Sequence, residues 1–193
     1  MGLFLCQPQS SEIVLGFVAD SAEATGLKWA AASSGMTLIG TTTFTTSSAV
    51  NVNDVFSATY QNYMMITDFV GSASTDVNIR YRVSATDNTT SNYNAQRAFY
   101  FGTSVSGDRS TNQTKHALYT STTTGSYIQY TFFSPFATAN TAGLSKGLYY
   151  AGTSLEGVDN YNQFNTTTSF TGFSLFPTSG TLTGTLRVYG MAN

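Results

Sequence analysis

The chain has 193 residues and a formal net charge of −2, and only 9% of its residues are charged. Ordinary soluble domains carry about 25% charged residues, so threonine, serine and asparagine must supply most of the polar surface here. The eight lysines and arginines form no basic cluster, which excludes nucleic-acid binding through phosphate neutralisation. The length suits one domain with a core of its own.

Cysteine content and hydropathy exclude two further classes of protein. Cys6 is the only cysteine, so the sequence predicts neither an intrachain disulfide nor a cysteine-ligated metal site. No window approaches the ~20 apolar residues of a membrane-spanning helix. The apolar start at residues 1–6 lacks the basic residues of a secretory signal. We therefore expect a chain made in the cytoplasm and not inserted into a membrane.

Residues 1–35 differ from the rest and predict an N-terminal assembly arm ending in a hinge. An apolar run at 13–18 precedes residues 20–26, which have the pattern of one capped helical turn. The apolar side chains of the arm must be buried either on its own domain or on a neighbouring chain, and the sequence leaves both open. These arm residues are Phe4, Ile13, Leu15, Phe17, Leu27 and Trp29.

Residues 36–193 predict one all-β domain, an antiparallel jelly-roll-like β-sandwich. Residues 63–70 form a nearly continuous apolar run, which is typical of a strand buried on both faces. Residues 77–83 alternate, so we expect odd-numbered apolar side chains inside and Asn78, Arg80 and Arg82 outside. Further strands are predicted at 97–101, 115–120, 126–133, 148–154 and 163–170.

The last stretch, residues 170–190, contains the clearest alternation in the chain. Leu182, Leu186 and Val188 fall on one side of a final strand, and threonines fall on the other. An apolar run at 173–176 and turn residues at 177–180 come just before it. The sequence therefore predicts a hairpin that closes a sheet.

The sequence contains no recognisable catalytic or metal-binding constellation. His116 is the only histidine, and its neighbours supply neither a second ligand nor a nucleophile, so we interpret it as a hydrogen-bonded structural residue. Asp87, Asp108 and Asp159 lack the apolar neighbours that raise a catalytic pKa, and we interpret them as turn residues. We therefore predict no enzymatic activity, no metal and no cofactor.

Long polar loops are predicted at 86–96, 103–114, 137–146 and 155–162, where a sandwich carries its function. Sugar binding needs aromatic rings and neutral hydrogen-bonding groups, and the regions 91–97 and 159–163 offer both. The candidate ligand-binding residues are Asn92, Tyr93, Asn94 and Arg97 in the first region, and Asn160, Tyr161 and Asn162 in the second.

Three segments of the chain resemble virion surface proteins of tailed bacteriophages, including tail-fibre-like proteins. They are ADSAEATGLKWA at 19–30, GMTL opening a threonine-rich strand at 35–38, and the closing GTLTGTLRVYG at 180–190; residues 60–83 match loosely. The resemblance implies a junction followed by a C-terminal β-sandwich module, and a trimeric or otherwise symmetric assembly. Fewer than twenty residues precede the junction, which favours a compact protein over a long fibre.

Together these patterns predict a non-enzymatic virion surface protein. The expected role is that of a small attachment protein whose arm docks on tail or capsid proteins and whose loops bind a host-surface glycan. A capsid decoration or head-fibre protein is the alternative, and a polysaccharide-degrading enzyme is a third interpretation. No partner among nucleic acids is expected.

Overall fold

The structure is a computed structural model that describes residues 15–19, 27–31 and 35–192. Backbone contacts divide the chain into two units, Met1–Gly35 and Met36–Asn193, and each unit is described by itself.

The first unit contains a two-stranded antiparallel ribbon. Strand β1 (Leu15–Ala19) pairs with strand β2 (Leu27–Ala31), and Phe17 lies opposite Trp29 in the register. Leu15 and Leu27 therefore also belong to strands. Phe4, Ile13 and the helical turn predicted at 20–26 lie outside the described residues.

The second unit is built from thirteen strands. In chain order they are β3 (Met36–Ser47), β4 (Val50–Val52), β5 (Asn62–Gly71), β6 (Thr75–Val83), β7 (Thr86–Asp87), β8 (Tyr93–Phe101), β9 (Ser104–Gln113), β10 (His116–Ser121), β11 (Ser126–Phe133), β12 (Thr141–Ala151), β13 (Ser154–Phe164), β14 (Gly172–Pro177) and β15 (Leu182–Met191). The described part of the chain contains no helix.

These strands form two antiparallel sheets. The large sheet has eight strands in the order β3-β15-β5-β11-β12-β13-β8-β9, and the small sheet has the order β10-β6-β14-β4 with β7 paired to β6. The predicted all-β fold with an antiparallel sandwich is confirmed. The finer jelly-roll topology stays a prediction.

The core between the two sheets is mainly aromatic. The rings of Phe132 on the large sheet and Phe173 on the small sheet have centroids 5.0 Å apart. Tyr81 stacks on Phe170 at 4.7 Å, and all four side chains are fully buried. Aromatic side chains bury more apolar area than any others, so a few rings hold the sheets together without a disulfide.

The alternation predicted for the last strand is confirmed, but the predicted hairpin is wrong. Leu182, Leu186 and Val188 are buried on the inner face of β15 while Thr183 is exposed. The preceding strand β14, however, pairs with β6 and β4 in the small sheet, whereas β15 pairs with β3 and β5 in the large one. The turn at 178–181 therefore carries the chain from one sheet to the other.

Two further strand predictions need correction. Strand β5 is not buried on both faces along its length, because Ile66 is 39% exposed on the outer side. On β6, Asn78 and Arg82 are buried and Val83 is exposed, contrary to the predicted alternation. Arg82 is buried because the chain folds back over it, where Asp87 and the Ala85 carbonyl oxygen accept its hydrogen bonds.

Three predicted loops are mostly strand. Residues 103–114, 137–146 and 155–162 lie largely in β9, β12 and β13. The hairpins β8-β9 and β12-β13 turn at Gly102 and Gly152, which have φ values of 57° and 68° that favour glycine. The strand predicted at 148–154 therefore contains a turn, and only the first two residues of the one predicted at 163–170 are in a strand.

Candidate binding site

A groove of about 530 Å³ crosses the outer face of the large sheet. Strands β8, β9, β11, β12 and β13 all contribute to its lining. The side chains that matter most for its chemistry are Asn94, Gln96, Arg109, Leu144, Tyr161 and Gln163.

Antiparallel register explains why these side chains meet. Leu144 lies opposite Tyr161, Tyr161 lies opposite Gln96, and Gln96 lies opposite Arg109. Opposed residues on adjacent strands point to the same face, so four neighbouring strands place one row of side chains along the groove. The spacing of strands gives this row a length of about 14 Å.

Tyr161 is the more exposed of the two aromatic residues in the groove, since Phe133 is 40% exposed. The Tyr161 side chain is 58% exposed. The large apolar surface of its ring is therefore open to a ligand. Amide groups surround it, since Gln96 and Gln163 line the same groove. The Asn94 Oδ1 atom accepts the Asn112 backbone N–H at 3.0 Å, which holds that amide in place. An apolar ring face flanked by neutral donors and acceptors is the composition that sugar binding requires.

Of the seven candidate ligand-binding residues, the structure brings three to the groove. Tyr161 and Asn94 line it directly. Asn162 also borders it, but its side chain is buried on the inner face of β13.

The other four candidates lie elsewhere, and the assignment of these regions to loops is wrong except for Asn92. Asn92 precedes β8, and its Nδ2 atom donates to Thr90 Oγ1 at 3.0 Å. Arg97 lies in β8 and forms two hydrogen bonds with Asp108, at 2.8 and 2.5 Å. Its side chain is therefore held by a carboxylate.

Tyr93 and Asn160 are core residues that no ligand on the outer surface can contact. The Tyr93 hydroxyl donates to the Asn88 carbonyl oxygen at 2.8 Å, and its ring is fully buried. Asn160 donates from Nδ2 to the Leu118 carbonyl oxygen at 2.8 Å and to Ser145 Oγ at 2.7 Å. Both point inward because they occupy the inner-face positions of their strands.

Sequence reasoning did not select Gln96, Arg109, Leu144 or Gln163. For Gln163 a signal existed, because period two places it on the same face as Tyr161. For Arg109 and Leu144 there was none, since their place in the groove depends on pairing between strands that are distant in sequence.

His116 is fully buried, and it is not hydrogen-bonded as expected. Its ring lies 4.8 Å from that of Tyr93 and 5.9 Å from that of Tyr81, both edge-on. Neither ring nitrogen has a hydrogen-bond partner among the described residues. Burial disfavours the charged form and lowers the pKa of His116 to about 3.

The three aspartates interpreted as turn residues are strand residues engaged in ion pairs. Asp87 pairs with Arg82, Asp108 pairs with Arg97 at 2.5 Å, and Asp159 pairs with Lys146 at 3.1 Å. Within the described ranges, no three or more His, Cys, Asp or Glu side chains come together as a metal site would require.

In the described part of the chain there is no helix of the length and hydropathy needed to cross a membrane. No protein-family model matches the sequence, and a search of curated proteins found no match.

Proposed function

We propose that this chain is a non-enzymatic surface protein of a tailed-bacteriophage virion that binds a host-surface glycan in the groove around Tyr161. The resemblance at residues 19–30 and 180–190 supports the virion role. The observation that carries glycan binding is the exposed Tyr161 ring with the amides of Gln96 and Gln163 beside it.

A single groove of this kind binds weakly. One aromatic stacking contact contributes about 0.5–1.5 kcal/mol, and each hydrogen bond adds about 1 kcal/mol. With three hydrogen bonds this corresponds to a Kd on the order of 1 mM. Useful attachment therefore requires several copies, because linked sites raise the overall affinity by about 10²- to 10⁴-fold.

An exposed apolar row on the large sheet supports self-association of the chain, for which the sequence resemblance implies a trimer. The register places Tyr127 opposite Leu148, Leu148 opposite Gly157, and Gly157 opposite Tyr100. Tyr100 in turn lies opposite Val105. The row thus crosses five strands, a width of about 19 Å, and contiguous apolar surface of this kind marks interaction sites.

The row fits other copies of this chain. Rotation about an axis parallel to the strands leaves height along the strands unchanged, so the apolar row of one copy meets the same row of the next. Lys146 and Asp159 lie next to the apolar row, each two residues along its strand from a residue of the row, and they pair at 3.1 Å. Lys146 of one copy would therefore lie close to Asp159 of the next, so that opposite charges meet.

Contact along the apolar row leaves the groove open. Leu144 in the groove and Leu148 in the row are four residues apart on β12, a distance of about 14 Å. Twisted sheets that pack face to face diverge away from their line of contact.

The N-terminal arm is the proposed attachment to tail or capsid proteins.

Glycan binding is tested with Tyr161→Ala on an array of oligosaccharides from host surfaces. Loss of the ring should weaken binding at least about tenfold, as expected for one stacking contact multiplied over several copies. Tyr189→Ala, which removes an outward tyrosine of β15 away from the groove, is the matched control. Equal binding by the wild type and Tyr161→Ala would contradict the proposal, provided both melt at the same temperature.

The alternative function is that of a capsid decoration or head-fibre protein. The apolar row supports this alternative as well, because an exposed apolar surface also suits contact with another virion protein. Gold-labelled antibody against the chain, viewed on intact virions by electron microscopy, separates the two. Labelled heads together with no glycan binding would favour decoration, whereas labelled tails would favour attachment.

The proposed absence of catalysis has its own test. Release of reducing ends from host polysaccharide, abolished by Asp108→Asn, would identify a polysaccharide-degrading enzyme instead. Arg97→Gln is the control, because it breaks the ion pair with Asp108 and leaves the carboxyl group in place.

A further inference from the structure

We infer that the groove takes an acidic saccharide, and that Arg109 binds the carboxylate of that sugar. This inference rests on the proposed glycan-binding function of the groove and names the chemical class of its ligand.

Arg109 differs from the other arginines in whether a carboxylate lies beside its guanidinium group. Four of the five arginines lie within 4.0 Å of a carboxylate: Arg80 and Arg82 beside Asp87, Arg97 beside Asp108, and Arg187 beside Asp68. Arg109 has no carboxylate partner among the described residues and is exposed. A guanidinium without an internal partner is available to a ligand.

The second observation is the charge of the groove. Among the described residues, Arg109 is the only charged one that lines it, and the remaining lining is amide, aromatic or aliphatic. The adjacent carboxylate, Asp108, is held by Arg97 through two hydrogen bonds. The groove therefore presents one positive charge with no competing anion in its lining, which attracts negatively charged ligands and repels cations.

The third observation is the position of Arg109 relative to Tyr161. Gln96 lies between them in the register, so the two residues are two strands apart, or about 10 Å at their backbones. A sugar ring on the Tyr161 face thus has an amide and then a guanidinium beyond it along the same row. The planar guanidinium fits a carboxylate with two parallel hydrogen bonds.

The ligand is therefore a saccharide with a carboxylate substituent beside an apolar ring face. Sulfate and phosphate esters share the anionic oxygens that an arginine binds, and a comparison of matched sugars distinguishes them. The test uses a glycan array that contains acidic oligosaccharides, the same oligosaccharides with their carboxyl groups reduced to alcohols, and sulfated and phosphorylated sugars.

The wild-type chain should bind acidic members at least about tenfold more tightly than their carboxyl-reduced forms, as expected for a charge-assisted hydrogen-bond pair. Arg109→Gln should lower binding of the acidic members to the level that the wild type shows for the reduced ones. Arg109→Lys should recover part of the loss, because it restores the charge without the bidentate geometry. Arg187→Gln, which replaces a half-buried arginine outside the groove, is the control.

Several results would overturn the inference. Binding of neutral glycans alone, dependent on Tyr161, would disprove the acidic ligand and leave the proposed function standing. A preference for sulfated or phosphorylated sugars would disprove the carboxylate. An Arg109→Gln variant that binds like the wild type would remove Arg109 from the site. Binding to no glycan of any class would overturn the proposed function itself.

Discussion

The hydroxyl groups of Tyr81 and Tyr130 lie 3.2 Å apart in the centre of the sandwich and join the two sheets by a hydrogen bond. Tyr81 belongs to β6 of the small sheet and Tyr130 to β11 of the large one, and both side chains are fully buried. Burial raises the pKa of Tyr130 to about 12 and that of Tyr81 also well above its usual value. Both phenols therefore stay neutral at physiological pH.

Replacing either tyrosine by phenylalanine should destabilise the sandwich, because it leaves the other hydroxyl without this partner. We expect each single variant to lose about 1–2 kcal/mol of unfolding free energy in urea. Since the second substitution removes a hydroxyl whose partner is already gone, Tyr81→Phe with Tyr130→Phe should lose less than the sum of the two single variants. Strictly additive losses would show that the bond contributes nothing.

The stability of the domain should fall as the pH is lowered from 7 to 5 because of His116. Its pKa is about 3 in the folded chain and about 6.5 in an unfolded chain. Between these values the unfolded state binds more protons, so protonation favours unfolding. By pH 5 the loss amounts to about 2 kcal/mol relative to pH 7.

The check is chemical denaturation at pH 7, 6 and 5 for the wild type and His116→Phe. Phenylalanine keeps an aromatic ring against Tyr93 and cannot be protonated, so the variant should show a smaller loss over this range. It should also be at least as stable at pH 7, because two buried nitrogens without partners are removed. The same pH dependence in both proteins would rule out His116 as the cause.

Self-association through the apolar row should be abolished by Leu148→Asp. Leu148 is 43% exposed and lies between Tyr127 and Gly157 in the row, and a carboxylate there would be buried without a partner when copies meet. We expect sedimentation equilibrium to show an oligomer for the wild type and a monomer for the variant.

Val83→Asp is the control for this substitution. Val83 is 39% exposed, like Leu148, but it lies on the small sheet away from the row, so its variant should remain oligomeric. A wild-type chain that stays monomeric at concentrations on the order of 100 µM, where a contact of micromolar Kd would be saturated, would contradict self-association.

Patterns within single strands were predictable from the sequence because they depend only on the backbone period. The buried side of β15, with Leu182, Leu186 and Val188, follows from alternation, as does the inward position of Val77, Ile79 and Tyr81 on β6. The exception on β6 is instructive. Asn78 and Arg82 are buried on the opposite side by contacts with other segments, such as Phe176 and Asn53, which no local period can reveal.

In the candidate site, too, the sequence indicated the chemistry of some residues but not the side of the sheet on which they lie. Tyr161 could be chosen from the sequence because an aromatic residue among asparagines has the chemistry of a sugar contact. Its neighbour Asn160, chosen by the same criterion, is a core residue that bonds Leu118 and Ser145. Composition alone does not decide which face of a strand is covered by the second sheet.

The sequence by itself determined that this chain is an all-β domain with a distinct N-terminal segment and few charges, because strand period, turn residues and composition are local properties. Only the tertiary structure decided that β14 and β15 join different sheets, since the same turn residues can connect two paired strands or carry the chain from one sheet to the other. Only strand pairing likewise brought Arg109 into one row with Gln96 and Tyr161, because register joins residues that are distant in the chain.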